Sequence, residues 1–329
     1  MTQPAADTPN APPSDSWTVS RILEWTTNFL KERGCESPRV DAEILMSHAW
    51  KCDRILLYTR HKDEAPAAVR EQMRALVKRR AQREPIAYLV GHKEFYSLRF
   101  AVSRDVLVPR PETETLVAEA IRFLQSRSEP LPSDADGDAA SVPFGTEDDL
   151  RDQPTGGGCP NPKVADLGTG SGCIAVTLAK RCPTATVDAV DLSPEAASLA
   201  ERNASIHGVQ DRVAVHVGDL FGPLGDRKYD LIVSNPPYVR SDEMPTLQED
   251  VRDHEPTLAL DGGRDGLNVL RRIVDGAAKR LNPGGSMMVE LDPAQMADAE
   301  RILSAAGFKG SRVVKDANQD QRVIVATIG

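Results

Sequence analysis

Residues Tyr229 to Tyr238 read YDLIVSNPPY, and this run limits what the chain can fold into more than any other. Leu231, Ile232 and Val233 form an unbroken apolar stretch of strand type, followed at once by Ser234, Asn235, Pro236 and Pro237. A continuous apolar strand is buried on both faces, which is the habit of parallel sheets. Two successive prolines lack backbone donors and stop the ladder, so Asn235 to Tyr238 form a stiff loop at the strand's carboxyl edge. Open α/β sheets bind their ligands at that edge. Asn235 offers one acceptor and two donors, each proline keeps a carbonyl acceptor, and Tyr238 adds a flat π face. Such a set suits a planar group bearing an NH2, with its two protons accepted by the amide oxygen and a carbonyl and the ring lying over its face.

From Lys163 onward, strand and helix patterns alternate, which predicts a mainly parallel, doubly wound sheet. The expected strands are 163–166, 185–191, 213–219, 229–234, 285–291, 312–316 and 321–327. Between the second and third of these, Ser193 is placed to cap a helix that opens at Pro194 and ends at Gly208. The last two strands lie too close in sequence for a crossover helix, so they are expected to close the sheet as a hairpin.

The first strand runs into Asp166-Leu-Gly168-Thr169-Gly170-Ser171-Gly172, and a helical run starts at Cys173. Glycines at 168, 170 and 172 allow a tight turn and close approach of a ligand. A dinucleotide fingerprint wants a small third residue at position 173, where this chain has cysteine, so a nicotinamide cofactor is the weaker candidate. G-x-G-x-G after an acidic strand end instead resembles motif I of S-adenosylmethionine-dependent methyltransferases. Asp191, ending the second strand, is placed to accept both ribose hydroxyls. Asp219, ending the third, is placed to accept from an adenine amino group, with Leu220 and Phe221 against the ring. Each aspartate has the plainer alternative of capping the next helix.

The amino-terminal part differs in character. Residues 1–16 are rich in Pro, Ala, Ser and Asp and are expected to be a disordered tail. Four helices are expected in residues 17–92, the last from Ala65 to Arg83 with a basic run at Arg70, Arg74, Lys78, Arg79, Arg80 and Arg83. That run reads either as a solvated face or as a docking surface for an acidic or RNA-bound partner. Residues 93–110 alternate as a hairpin linker, and Pro109-Arg-Pro-Glu-Thr-Glu opens the next helix. Residues 126–162 have almost no apolar periodicity and read as a flexible insertion in a domain spanning 111–329.

Composition excludes several classes. A net charge of −9 over 329 residues argues against stable, salt-driven nucleic-acid binding. Five scattered cysteines without a C-x-x-C pair favour a reducing cytoplasm and no metal site. The first residues lack the basic start and apolar core of a secretion signal, and no run is long and apolar enough for a membrane.

These stretches together resemble one family. EPIAYLVGHKEFYSLRFAVSRDVLVPRPETETLV, DLGTGSG, VSNPPYV, HEPTLALDGGRDGLNVLRRIV and DQRVIVA are similar to the HemK/PrmC glutamine methyltransferases, over about 17–125 and 163–329. The resemblance implies a seven-stranded, Rossmann-like methyltransferase sheet behind a small helical domain that recognises the substrate. It implies S-adenosylmethionine as cofactor and, as substrate, the Gly-Gly-Gln glutamine of class 1 peptide chain release factors, methylated by a monomer. On it, Asn235, Pro236, Pro237 and Tyr238 are the catalytic set and Gly168 to Gly172, Asp191, Asp219, Leu220 and Asn235 hold the cofactor. A glutamine methyltransferase of ribosomal protein uL3 and an adenine N6 methyltransferase share the NPPY loop and remain as alternatives. Two departures stand out: Asp292 where the family has glycine, and Leu220 where bacterial members often carry Trp.

Overall fold

A computed structural model describes residues 17–127 and 161–328. The expected tail at 1–16 and most of the expected insertion at 126–162 lie outside the described residues. The chain divides between Val90 and Gly91 into two units.

The first unit comprises α1 (Val19–Glu32), α2 (Pro38–Trp50), α3 (Arg54–Thr59), α4 (Ala67–Arg80) and α5 (Ile86–Val90). Thr18 caps α1 by accepting from the Arg21 amide, and Val19, Ile22, Leu23, Thr26 and Leu30 make its buried stripe at spacings of three and four. The short α5 was not expected from the sequence; five apolar-rich residues carry too little periodicity to tell helix from strand. The basic run of α4 is partly used inside this unit. Arg80 is 5% exposed and pairs with buried Asp41 at 2.7 Å, and Arg79 makes a two-point pair with Glu84 at 2.6 and 2.8 Å. Arg83 donates to the Gly34 carbonyl. These partners lie outside the α4 sequence, so inspection of the helix alone overstates its spare positive charge. Arg74 and Lys78 remain exposed.

The second unit opens with a hairpin, β1 (His92–Phe95) and β2 (Leu98–Ala101), whose Phe95 and Phe100 rings meet edge to face. It continues through α6 (Thr113–Ser126), β3 (Lys163–Leu167), α7 (Cys173–Arg181), β4 (Thr186–Asp191), α8 (Pro194–Ile206), β5 (Val213–Val217) and β6 (Tyr229–Ser234). After a short α9 (Glu249–Arg252) come α10 (Asn268–Arg280), β7 (Leu281–Glu290), α11 (Met296–Ala305), β8 (Gly310–Lys315) and β9 (Gln321–Thr327). The sheet order is β5-β4-β3-β6-β7-β9-β8, with β5 to β7 parallel and β9 antiparallel to both neighbours. The closing hairpin expected from the terminal residues is therefore present, inserted so that its second strand meets β7.

Both faces of this doubly wound α/β sheet are covered. One packs against α6, α7 and the hairpin through Leu116, Leu178 and Phe100; the other packs against α10 and α11 through Ile273, Val274 and Leu303. Leu231, Ile232 and Val233 have no exposed surface, as double-sided burial of a central parallel strand requires. Register places Leu167 of β3 level with Ser234 of β6 and Asp191 of β4 level with Val217 of β5. The carboxyl ends of these strands thus make one shared edge. The third expected strand is shorter than its apolar pattern: β5 stops at Val217, so Asp219 lies beyond it rather than closing it.

Candidate active site

A cleft of about 390 Å³ opens along that edge, lined by the Gly-rich loop, the end of β4, the segment after β5, the NPPY loop and residues 104–113. Its floor is the turn between β3 and α7. Gly168, Gly170 and Gly172 have φ of +73°, +55° and +77°, in the left-handed region that side chains with a Cβ rarely adopt. The Gly168 and Thr169 amides both donate to the Val190 carbonyl, at 2.8 and 3.0 Å, which folds the loop over β4. A Cβ built on Gly168 or Gly170 meets nothing within 4 Å. Gly172 is different: its Cβ would lie 3.1 Å from that of Ala200, and Gly172 does not line the cleft. The expectation that all three glycines admit a ligand is corrected here; the third lets α7 and α8 approach.

Asp166 is fully buried below this loop. One carboxyl oxygen accepts from the Thr169 hydroxyl at 2.6 Å and the Ala175 amide at 3.1 Å, while the other has no hydrogen-bond partner. Asp191 accepts from the Gly170 amide at 2.8 Å through one oxygen and from the Ser193 amide at 3.0 Å through the other. It therefore holds the loop and the approach to α8 together, and each oxygen keeps a second lone pair. Burial raises its pKa above the ordinary carboxylate value.

On the far side of the cleft, Asp219 is half exposed and pairs with Arg272 of α10 at 2.5 Å. Leu220 also lines the cleft, in a left-handed conformation at φ +48°. Phe221 does not. It is 6% exposed, packed against Gly276, with the Arg280 guanidinium 4.9 Å from its ring centroid. The expected contact of Phe221 with an adenine is corrected: its ring gains more by covering the bare backbone of α10.

Asn235, Pro236 and Pro237 line the cleft. The Asn235 side-chain nitrogen donates to the Thr113 hydroxyl at 3.1 Å, joining the NPPY loop to the start of α6. Tyr238 does not line the cleft; its ring packs against the apolar cluster between the sheet and α10 and α11. Burial pushes its phenol up to about 12. The Tyr238 carbonyl accepts from the buried Gln295 side chain at 2.9 Å, which also reaches the Asp265 carbonyl at 3.3 Å. The ring is partly buried against that cluster, so in this structure it lies beside the cleft lining and not over it.

The brace on this loop comes from residues 260–266. Val239 donates to the Leu260 carbonyl at 2.9 Å and Gly262 donates back to Val239 at 2.8 Å. A Cβ on Gly262 would stand 2.6 Å from the Pro237 carbonyl oxygen, and one on Gly266 would collide with the Tyr238 carbonyl and the Gln295 amide. Asn203 is a second contributor not picked out from the sequence. It is fully buried, accepts from the Ala101 amide at 2.9 Å, and donates to the Ala101 and Ser171 carbonyls at 3.0 and 2.7 Å, tying β2 to the Gly-rich loop. A polar residue at an interior helix position was the only available signal.

Three carboxyls around the cleft are held up to about 7, in each case chiefly by burial: Asp166, Glu255, which pairs with Arg110 at 2.7 Å, and Glu290, which is 1% exposed. In the unfolded chain such groups ionise near about 4. Between those values the folded protein keeps protons that the unfolded chain has released. This stability is complete below about pH 4 and is lost as pH rises through about 7. Each group adds a slope of about 1.4 kcal/mol per pH unit inside that window. Glu255→Gln should flatten the fall in Tm between about pH 5 and 7, read by calorimetry; an unaltered slope would show that Glu255 is ionised throughout.

Among the described residues no cluster of His, Cys, Asp or Glu could hold a metal ion, and no helix is long and apolar enough to cross a membrane.

Comparison with known proteins gives two family models. The PrmC N-terminal domain matches residues 21–91 and the methyltransferase small domain matches residues 158–262. Among solved structures, the hMettl16 catalytic domain in complex with MAT2A 3'UTR hairpin 6 is 14% identical, with a TM-score of 0.51, covering 76% of this chain and 84% of that one; it speaks to the fold alone. Among curated proteins, the release factor glutamine methyltransferase of Geobacter sulfurreducens is 41% identical over 313 residues, covering 95% of this chain and 98% of that protein. The protein of the same name from Rhodopirellula baltica is 40% identical over 322 residues, covering 97% and 98%. Identity at that level, sustained over almost the full length of each relative, shows that the chain belongs to the release factor glutamine methyltransferase family.

Proposed function

We propose that this protein transfers the methyl group of S-adenosylmethionine to the side-chain amide nitrogen (N5) of the glutamine in the Gly-Gly-Gln motif of class 1 peptide chain release factors. The observation that carries the chemistry is the Asn235 amide, whose nitrogen is engaged by Thr113, so that its oxygen is left for the cleft. The names of the full-length relatives support the substrate.

The cleft suits the cofactor. Space beside Gly168 and Gly170 admits a ligand against bare backbone, and the unpartnered oxygen of buried Asp166 complements an ammonium group. Thr169 and Ser171 belong to that cradle. Asp191 would accept the ribose hydroxyls, and Asp219 and Leu220 would flank the adenine. When bound, S-adenosylmethionine supplies a methyl group on a positively charged sulfur, open to in-line displacement.

A primary amide nitrogen is a weak nucleophile because its lone pair is shared with the carbonyl. The residues of this chain have to align that nitrogen and oppose the sharing. The Asn235 side-chain oxygen and the Pro236 carbonyl would accept the two amide protons, drawing electron density onto nitrogen. The Pro237 carbonyl faces Gly262 and is not placed for this work. Once the carbon–nitrogen bond forms, the nitrogen becomes a strong acid and gives one proton to solvent, so the site needs no separate base. The helical unit of residues 17–90 would recognise the rest of the protein substrate, with exposed Arg74 and Lys78 as its spare positive charge.

The test is to incubate the protein with methyl-labelled S-adenosylmethionine and, in separate reactions, a purified class 1 release factor, ribosomal protein uL3 and nucleic acid, and to map the label by mass spectrometry. Label on the Gly-Gly-Gln glutamine is expected. Label confined to uL3 or to adenine would overturn the assignment.

A further inference from the structure

We propose that Arg272 is a further cofactor-binding residue: its guanidinium, held in place by Asp219, forms one face of the slot that receives the adenine ring. The inference rests on the S-adenosylmethionine reading above and deepens it at the end of the cleft beyond β5.

Strand order fixes where each part of an extended nucleoside ligand lies. Along the sheet edge, the segment after β5 carries Asp219 and Leu220, β4 ends in Asp191, the Gly-rich loop follows β3 and Asn235 follows β6. A ligand with its ribose at Asp191 and its methyl group at Asn235 therefore has its base over the segment after β5. A flat base gains most from a flat partner on its face. Among the described residues, no Phe, Tyr or Trp lines the cleft, and the nearby ring of Phe221 is buried against Gly276. An arginine can take the place of such a ring, because its delocalised, planar guanidinium stacks on π faces. Of the arginines that line the cleft, Arg104 and Arg110 belong to the 104–113 wall, whereas Arg272 stands on α10 beside the segment after β5. Its Nη2 donates to Asp219 Oδ2 at 2.5 Å. Val269, three residues earlier on the same face of α10, also lines the cleft, and Leu220 lines it from the segment after β5. The base then lies between an aliphatic side chain and a guanidinium. Arg272 is about half exposed, and a long side chain left loose there would lose rotamer freedom on binding. The Asp219 carboxylate limits that freedom beforehand, and its other oxygen accepts from the adenine amino group.

The experiment titrates S-adenosylhomocysteine, the product of the transfer, into wild type, Arg272→Met, Arg272→Lys and Asp219→Asn by calorimetry, and records the ultraviolet absorption of the adenine on binding. Arg272→Met removes plane and charge, and Kd should rise about 5- to 30-fold. Arg272→Lys keeps the charge and can still pair with Asp219 but has no plane, so Kd should rise nearly as far. In both variants the drop in adenine absorption that accompanies stacking should shrink. Asp219→Asn loosens the guanidinium, and Kd should rise about two- to fivefold. All three should keep their Tm, because both side chains are half exposed. Wild-type affinity in Arg272→Met or in Arg272→Lys would overturn the proposal, the latter by showing that charge alone matters. Wild-type protein that takes up no S-adenosylhomocysteine would overturn the cofactor reading and this inference together, whereas an error in the protein substrate would leave these affinities as they are.

Discussion

Asn235→Ala is expected to lower kcat by about 10²- to 10³-fold while the Kd for S-adenosylmethionine changes by no more than about threefold. The size follows from what the proposal removes: one of the two acceptors assigned to the protons of the target amide. The split between kcat and Kd follows from position. The Gly-rich loop is held by hydrogen bonds to Val190, Asp191 and Asn203, whereas the side chain of Asn235 bonds to Thr113. Stopped assays at saturating cofactor, with calorimetric titration of the variant, give both numbers. A variant that turns over within about threefold of wild type would remove Asn235 from the proton-accepting role.

The second large effect is expected at Gly266, far from any sequence motif for catalysis. Its φ of +74° is strained for a residue with a Cβ, at about 1–2 kcal/mol, and the added carbon would also collide with the Tyr238 carbonyl and the Gln295 amide that clamps it. Relief requires the clamp on the NPPY loop to open. Gly266→Ala should therefore lose about 10²-fold in kcat and several degrees in Tm, again with little change in cofactor affinity. Gly208→Ala is the internal control. It has a similar φ of +66° but meets nothing within 4 Å, so it should lose Tm only and keep its turnover. Equal turnover in the two variants would show that the 260–266 segment does not brace the catalytic loop.

Where a structural feature depends on neighbours in sequence, it was legible at the outset. The span Tyr229–Ser234 is the same in both readings, because an apolar run stopped by two prolines has few alternatives. Ser193, Pro194 and Gly208 bound α8 as expected, since cap, first turn and left-handed exit are local matters. The features that escaped are contacts across the chain. Asp41 lies 39 residues from Arg80 and Thr113 lies 122 residues from Asn235. Phe221 was expected in the cleft because aromatic rings suit flat ligands; it lies instead against the bare backbone of α10 at Gly276, a surface that only the packed fold creates.

By itself, then, the sequence determined the carboxyl ends of β4 and β6, the glycine turn, the proline corner and the order of elements along the chain, all of which follow from backbone donors, steric limits and periodicity. Tertiary structure alone decided which polar groups complete the site. A hydroxyl on α6 and a glycine turn before α10 come beside Asn235 and Tyr238 only in the packed fold. Hydrogen bonds of that kind depend on distance and direction in space, and a one-dimensional pattern carries neither.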